Sequence, residues 1–328
     1  MDLSYPATMS QSWEASIKDE LHMVEEEIRR SIRSEQPILT EICDYVISSG
    51  GKRMRPGVTL LSYLANGGKD VSEAIKIAAA FEMIHSATLI HDDINDRSEM
   101  RRGKQSAYKR YGLQEALVSG DFLFVKAFAI GGFFNEEIVS LVAEACTAIA
   151  ESEIVQFEKE GQVAPLDIYL GIIEGKTAKP IMAGARIGAY LAEAGPDRIH
   201  AMGEYGLNIG MAFQIIDDIL DIVGTEKTLG KPRMVDFDEG KATLPLIHAM
   251  KDPMVGGRIS ELFHKKVKSE DDVEEAVDLI SRTKAIELSR TKAKEYAAKA
   301  LEALADIPDS IHKQGLRLLA ETVVDRKH

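Results

Sequence analysis

Ile17, Leu21, Val24, Ile28 and Ile32 recur at helical spacing between charged residues. Residues spaced this way share one face, so the segment predicts an amphipathic helix. Pro37 and the pair Gly50-Gly51 bracket a second predicted helix, Ile38 to Ser48. The stretch from Val71 to Asn95 contains no glycine or proline and is apolar nearly all round: Ala74, Ile75, Ile77, Ala78, Ala79, Ala80, Phe81, Met83, Ile84. Such a segment predicts a central helix buried on every side, yet it ends in aspartates. Tyr205 to Ile222 repeats the arrangement, with Leu207, Ile209, Met211, Ala212, Phe213, Ile215 and Ile216 leading to a second acidic end. Periodicity stops between Gly224 and Pro245, which predicts a long functional loop. Helical patterns then run to the end. No strand-like alternation of useful length and no linker occur. The expectation is an all-α fold and one domain over residues 1–328, with residues 1–12 a flexible extension.

The acidic ends are Asp92-Asp93-Ile94-Asn95-Asp96 and Asp217-Asp218-Ile219-Leu220-Asp221. On a helix, residues four apart share a face, so Asp92 and Asp96 project together, as do Asp217 and Asp221; Asp93 and Asp218 point elsewhere. Carboxylates ending a buried helix are costly unless paired or bound to metal. Magnesium takes oxygen ligands, few of them from protein and the rest from water or phosphate. Two such helix ends face to face would hold a diphosphate between metal ions. The spacing and the absence of a central glycine exclude an EF-hand.

The net charge of −13 argues against non-specific nucleic-acid binding. It also means that any phosphate must be held by local cations or metals. Such cations are present: Gly50-Gly51-Lys52-Arg53-Met54-Arg55-Pro56 is a glycine turn with three of them, and Arg101-Arg102-Gly103-Lys104 follows the first aspartates. Lys176-Thr177, Lys231 and Lys241 lie further on. Arginine forks suit phosphate oxygens. Cys43 and Cys146 sit in apolar surroundings and read as buried reduced thiols. The N-terminus has no secretory pattern and no long apolar span occurs, so a cytoplasmic protein is expected.

From about Ile38 to Ala249 the chain resembles the trans-isoprenyl diphosphate synthases, or polyprenyl synthetases. The residues that carry the resemblance are GGKRMRP at 50–56, EMIHSATLIHDDINDRSEMRRGK at 82–104, KTA at 176–178, GMAFQIIDDILD at 210–221 and LGKP…DEGKATLP at 229–245. The resemblance implies the isoprenoid synthase (terpenoid synthase) fold, a bundle of roughly ten or more helices around a central cavity. It implies a magnesium-dependent prenyltransferase, using about three Mg2+ ions per site. The reaction is head-to-tail condensation: an allylic diphosphate ionises, and the cation is attacked by the double bond of isopentenyl diphosphate. A homodimer is implied as well.

Carried over by motif position, Asp92, Asp96 and Asp217 resemble direct metal ligands, with Asp93, Asp218 and Asp221 in support. Arg101, Lys176, Lys231 and Lys241 match residues that grip the allylic diphosphate. Lys52, Arg55, His85 and Arg102 match the isopentenyl diphosphate site, to which Arg53 adds. Thr177 and Gln214 stand where the family places oxygens that stabilise the cation. His91 matches no role and reads as packing beside the metal helix. Three departures bear on loop and tunnel shape: Lys179-Pro180 after KTA, where proline should kink or restart the helix; Pro232-Arg233-Met234, without the usual glycine; and Ser152-Glu153 where Gly-Glu is usual.

The product chain should run down a tunnel beside the helix ending at Asp92. Ala87 and Thr88 would line its upper part, with Ile84 and Met83 and then Ala80 and Ala79 below. Small residues at the upper level leave it open, which predicts a product of C20 or longer, centred on about C25 to C30. A class I terpene cyclase would share the first cluster but needs neither GGKRMRP nor Arg102. A non-catalytic subunit of a heteromeric synthase would be expected to have lost some of these charged residues, and all are present.

Overall fold

A computed structural model describes residues 12–224 and 233–326; the expected N-terminal extension, apart from Ser12, lies outside the described residues. The first apolar stripe forms a 3-10 turn, Trp13–Ile17, that runs into α1 (Lys18–Ser31). Ile17, Val24, Ile28 and Ile32 are buried, as the spacing predicts. Helix α2 (Pro37–Ile47) starts on Pro37 itself, where a missing N–H costs nothing. Helices α3 (Met54–Ala65) and α4 (Ser72–Asn95) follow.

After α4 come α5 (Ala107–Tyr111), α6 (Leu113–Gly131), α7 (Glu136–Lys159) and α8 (Leu166–Ile173). Helix α9 (Lys179–Leu191) and the long α10 (Pro196–Val223) complete the central bundle. The C-terminal part contains α11 (Val235–Asp238), α12 (Leu244–Ala249), α13 (Gly256–Phe263), α14 (Glu270–Ser281), α15 (Ala285–Ala303) and α16 (Ile311–Asp325).

Helix α4 is enclosed by α1, α3, α6 and α9, and α10 by α9 and α15. This is why both helices are apolar all round. Ile75, Ile77, Phe81, Met83, Ile84 and Ile90 of α4 are buried, each contributing about 1.5–3 kcal/mol. Repulsion between aspartates four apart is a few tenths of a kcal/mol, so packing readily carries the acidic end.

Three expectations shift. A two-residue antiparallel ribbon pairs Met100–Arg101 with Lys104–Gln105, too short for any alternation to signal. The Gly224–Pro245 stretch holds α11 and the start of α12, short helices fixed by tertiary contacts rather than periodicity. Helix α10 begins at Pro196, nine residues before Tyr205, because Gly195-Pro196 supplies a start the apolar count did not weigh.

Candidate active site

A cavity of 1320 Å³ opens where the C-terminal ends of α4 and α10 meet. His85, Thr88, Leu89, Asp92 and Asp96 reach it from one face of α4, and Phe213, Gln214, Asp217, Asp218 and Asp221 from α10. Helix α4 stops just past its aspartates. Arg97 takes the left-handed conformation (φ 53°), and the Ser98 N–H bonds the Asp93 carbonyl at 2.9 Å, a Schellman closure. The aspartates thus crowd the negative end of a helix dipole, which calls for cations.

The structure supplies a cation to each of Asp92, Asp93, Asp96 and Asp217, each from a different element. Lys176 Nζ lies 3.4 Å from Asp92. Arg101 Nε donates to Asp93 at 2.8 Å, and Lys241 Nζ to Asp96 at 2.7 Å. Arg326, at the end of α16, pairs with Asp217. Burial raises the Asp92 and Asp93 carboxyls while Lys176 and Arg101 oppose it. Burial works to lower the Lys176 ammonium, but Asp92 and Glu153 raise it above its ordinary value. Lys241 also meets Glu239 at 2.8 Å, and burial pushes the Glu239 carboxyl up to about 7.

Lys176 sits in a π-helical turn, Glu174–Ala178, that connects α8 to α9. Such turns break the regular ladder and are frequent at functional sites. Helix α9 restarts at Lys179 with Pro180 in its first turn, the restart that Lys179-Pro180 predicts. The turn is pressed onto α7: a Cβ at Gly175 would stand 1.9 Å from Ser152 Oγ and 2.9 Å from the Ala148 carbonyl. The departure at Ser152 therefore fits because Gly175 faces it. From the next turn of α7, Glu153 and Gln156 both accept from Lys176 Nζ, Gln156 at 3.1 Å.

On the second cluster, Gln214 Nε2 donates to Asp218 Oδ1 at 2.9 Å, and Thr177 Oγ1 donates to Gln214 Oε1 at 2.9 Å. Asp218 Oδ2 accepts from the buried Tyr169 hydroxyl of α8. Burial, then Asp236, holds the Asp218 carboxyl well above the usual range; burial, then Asp218, keeps the Tyr169 phenol protonated. Asp221 Oδ2 accepts the Asp236 N–H at 3.3 Å, which ties α11 to α10.

Lys52, Arg55, His85 and Arg102 line the same cavity. Arg102 and Gly103 both have positive φ (51° and 75°) at the centre of the two-residue ribbon turn, the geometry that fits a tight hairpin. Gly51 has φ 146°, and a Cβ there would stand 2.9 Å from Arg102 Nη1. That close approach joins the GGKRMRP loop to the ribbon. Burial and then Arg55 and Arg102 hold His85 well below its usual pKa, so it is a neutral imidazole. Burial likewise lowers Lys52, with Arg326 adding to the effect.

Arg53 also borders the cavity, but its guanidinium is turned inward, donating to the Ile47 carbonyl at 2.8 Å and pairing with buried Glu82. Lys231 lies outside the described residues. His91 stacks on Phe124 with centroids 6.0 Å apart and covers Gly120, the packing expected of it. Thr88 lines the cavity, whereas Ala87, Ile84, Met83, Ala80 and Ala79 are buried in the core and absent from the cavity wall. The sequence reading missed Tyr169, Glu82, Glu239 and Arg326. Only a buried tyrosine's need for a hydrogen-bond partner could have pointed to Tyr169.

Asp92, Asp96 and Asp217 present hard oxygen donors from both walls, and each already faces a cation. That chemistry fits Mg2+, which keeps most of its shell for water or phosphate. Among the described residues no three acidic, histidine or cysteine side chains gather into a group that could hold a metal ion by themselves.

An all-helical bundle with carboxylates and guanidiniums facing across one cavity is the layout of a prenyl-transferring enzyme of the isoprenoid synthase fold. The polyprenyl synthetase family model matches residues 36–280. A geranylfarnesyl diphosphate synthase from Aeropyrum pernix is 38% identical over 297 residues, covering 86% of this chain and 92% of its own. A heptaprenyl diphosphate synthase component 2 from Bacillus subtilis is 32% identical over 314 residues, 95% of this chain and 89% of its own. The crystal structure of a polyprenyl synthase from Caulobacter crescentus, complexed with calcium and isoprenyl diphosphate, superposes with a TM-score of 0.91 at 34% identity, covering 98% of this chain and 100% of that one. The chain belongs to the polyprenyl synthetase family and is a transferase.

Proposed function

We propose that the chain, acting as one domain, condenses an allylic diphosphate with isopentenyl diphosphate in a magnesium-dependent reaction, giving an all-trans polyprenyl diphosphate of C20 or longer. The observation that carries the reading is the pairing of two opposed acidic helix ends with two separate sets of cations in one cavity. One set is Lys176, Lys241 and Arg101, beside the aspartates. The other is Lys52, Arg55, Arg102 and His85. A condensing enzyme needs two diphosphate sites, and a cyclase needs one.

Bound at Asp92, Asp96 and Asp217, divalent cations would neutralise the allylic diphosphate and stabilise it as a leaving group. Lys176 and Lys241 grip its oxygens and keep it anchored, with Arg101 fixing Asp93 behind them. Thr177 Oγ1 and Gln214 Oε1 offer lone pairs where positive charge develops. The neutral His85 donates a hydrogen bond to the second diphosphate beside Arg55 and Arg102. Arg53 serves here by bracing the loop through Glu82.

Purified protein incubated with Mg2+, an allylic primer and isopentenyl diphosphate should elongate the primer, and loss of turnover on chelation should be reversed by added Mg2+. No elongation by the isolated chain would sink this reading in favour of a second one. That second reading is a subunit that needs a partner chain, and the Bacillus subtilis component 2 relative supports testing it.

Product length rests on Thr88, which borders the cavity one turn before Asp92. Thr88→Phe should shorten the product, and chromatography of the dephosphorylated alcohols reads this out. A C15 product from the unaltered protein would overturn the length assignment.

A further inference from the structure

Thr177, Gln214, Asp218 and Tyr169 form a run of hydrogen bonds along the cavity wall, and the Tyr169 hydroxyl also takes a backbone hydrogen bond at Leu244. Its directions are fixed by chemistry. Gln214 bonds the Asp218 carboxyl at one end and the Thr177 hydroxyl at the other. Asp218 meets Gln214 with an accepting oxygen, so the amide turns its NH2 to Asp218 and its carbonyl to Thr177. The Thr177 hydroxyl must then donate to Gln214 Oε1. The Thr177 hydroxyl hydrogen and the bonded Gln214 amide hydrogen are both directed along the run toward Asp218. What Thr177 and Gln214 present to it is oxygen lone pairs.

This polarity depends on the far end. Asp218 holds Gln214 with Oδ1, while Oδ2 is held by the Tyr169 hydroxyl at 2.5 Å. Both residues are buried, Tyr169 at 5% and Asp218 at 4% exposure. Without that donor the buried Oδ2 is left unsatisfied, and the cheapest remedy is rotation of the carboxyl toward the Gln214 amide. The amide then moves, Thr177 loses its acceptor, and its hydroxyl hydrogen is released toward the cavity. A hydrogen-bond donor aimed at a developing carbocation opposes it.

We propose that Tyr169 is a positioning residue for the chain-elongation reaction: through Asp218 it sets the orientation of Gln214 and Thr177, so that only oxygen lone pairs face the reacting allylic carbon. Tyr169 lies on α8, before the π-helical turn, and its hydroxyl is spent on Asp218. The inference rests on the reading that an allylic cation forms beside Thr177.

The test is Tyr169→Phe, assayed beside the unaltered enzyme, which must itself elongate the primer; if it does not, the functional reading fails rather than this one. Expected for Tyr169→Phe is a kcat lowered about 10- to 100-fold, with KM for both diphosphates within about threefold. Combined with Thr177→Val, it should cost little beyond Thr177→Val alone, because both changes disable the same oxygens. A kcat within twofold of the parent, a loss confined to KM, or losses that multiply in the double variant would overturn the proposal. Should Tyr169→Phe not fold, ring-fluorinated tyrosines at position 169 keep the shape and alter the donor strength; a kcat that does not move across that series overturns it as well.

Discussion

Arg53 and Glu82 show how a cation in a phosphate-binding motif can be spent on structure. Arg53 begins α3 in the left-handed conformation (φ 48°), and its guanidinium reaches Glu82 on α4, whose side chain is 5% exposed. Glu82→Gln would leave that guanidinium only the more exposed Glu25, 3.7 Å away, as a counter-charge. Breaking one partner of a buried pair costs about 3–5 kcal/mol, so the thermal midpoint should fall by several degrees. An unchanged midpoint would return Arg53 to the phosphate site. Glu239 carries a different signal. Its carboxyl, raised by burial to about 7 from a usual 4.5, holds its proton in the folded state when the unfolded state has lost it. Its contribution to stability is therefore greatest below about pH 4.5 and declines as pH rises through 7. Glu239→Gln should match the parent near pH 5 and gain on it by pH 8, by on the order of 2 kcal/mol. Denaturant midpoints at the two pH values decide it, and a difference that does not change with pH contradicts the assignment.

At the scale of elements, the π-helical turn is the junction on which Lys176 and Thr177 depend. Its contact with α7 leaves no room for a methyl group at position 175, where a Cβ would stand 1.9 Å from Ser152 Oγ. Gly175→Ala should cost about 1–3 kcal/mol through overpacking and lower kcat by displacing Lys176 from Asp92. Adding Ser152→Gly should restore part of both. Recovery stays partial because the Ala148 carbonyl remains 2.9 Å from the new Cβ. If Ser152→Gly rescues nothing, the clash lies elsewhere. This junction also marks what the sequence could and could not reveal. The central helices were legible because enclosure on several sides leaves α4 wholly apolar from Ile77 to Phe81 and mostly apolar around it, and Lys179-Pro180 announced a restart. The π turn was not legible, since nothing in Glu174–Ala178 distinguishes it from an α turn. The motif residues that share the cavity could be named in advance, whereas Tyr169 and Arg326 come from distant helices, and Glu82 and Glu239, though inside the motif segments, have no spacing that marks them as partners of Arg53 and Lys241. Nor could spacing separate Thr88 from Ala87: which of two adjacent residues faces the cavity depends on the rotation of α4, which its neighbours set.

For the whole molecule the remaining question is what covers α6 and α7. Helix α4 is shielded on one side by α6, and α7 supplies the Glu153 and Gln156 that hold Lys176, so the outer surface of these two helices backs directly onto the active site. That surface is apolar: Val118, Val125, Phe128 and Ile154 are 52%, 64%, 45% and 57% exposed, and Phe133 between the helices is 87% exposed. Scattered exposed apolar residues are ordinary, but five of them on two successive helices and the turn between are a candidate interface. A second copy of this chain would bury it isologously, and about 800 Å² per partner is enough for a stable pair. Sedimentation should accordingly give twice the chain mass for the parent. Val125→Arg combined with Phe128→Glu should give the single mass while the helical signal is kept, because both side chains point outward. The activity of that variant carries the further information. If the partner holds α6 and α7 against the site, kcat should fall with the mass, since Lys176 is positioned from α7; a monomer of full activity would mean that each protomer holds its lysine unaided. A parent that already sediments as a monomer would remove the dimer from the account altogether.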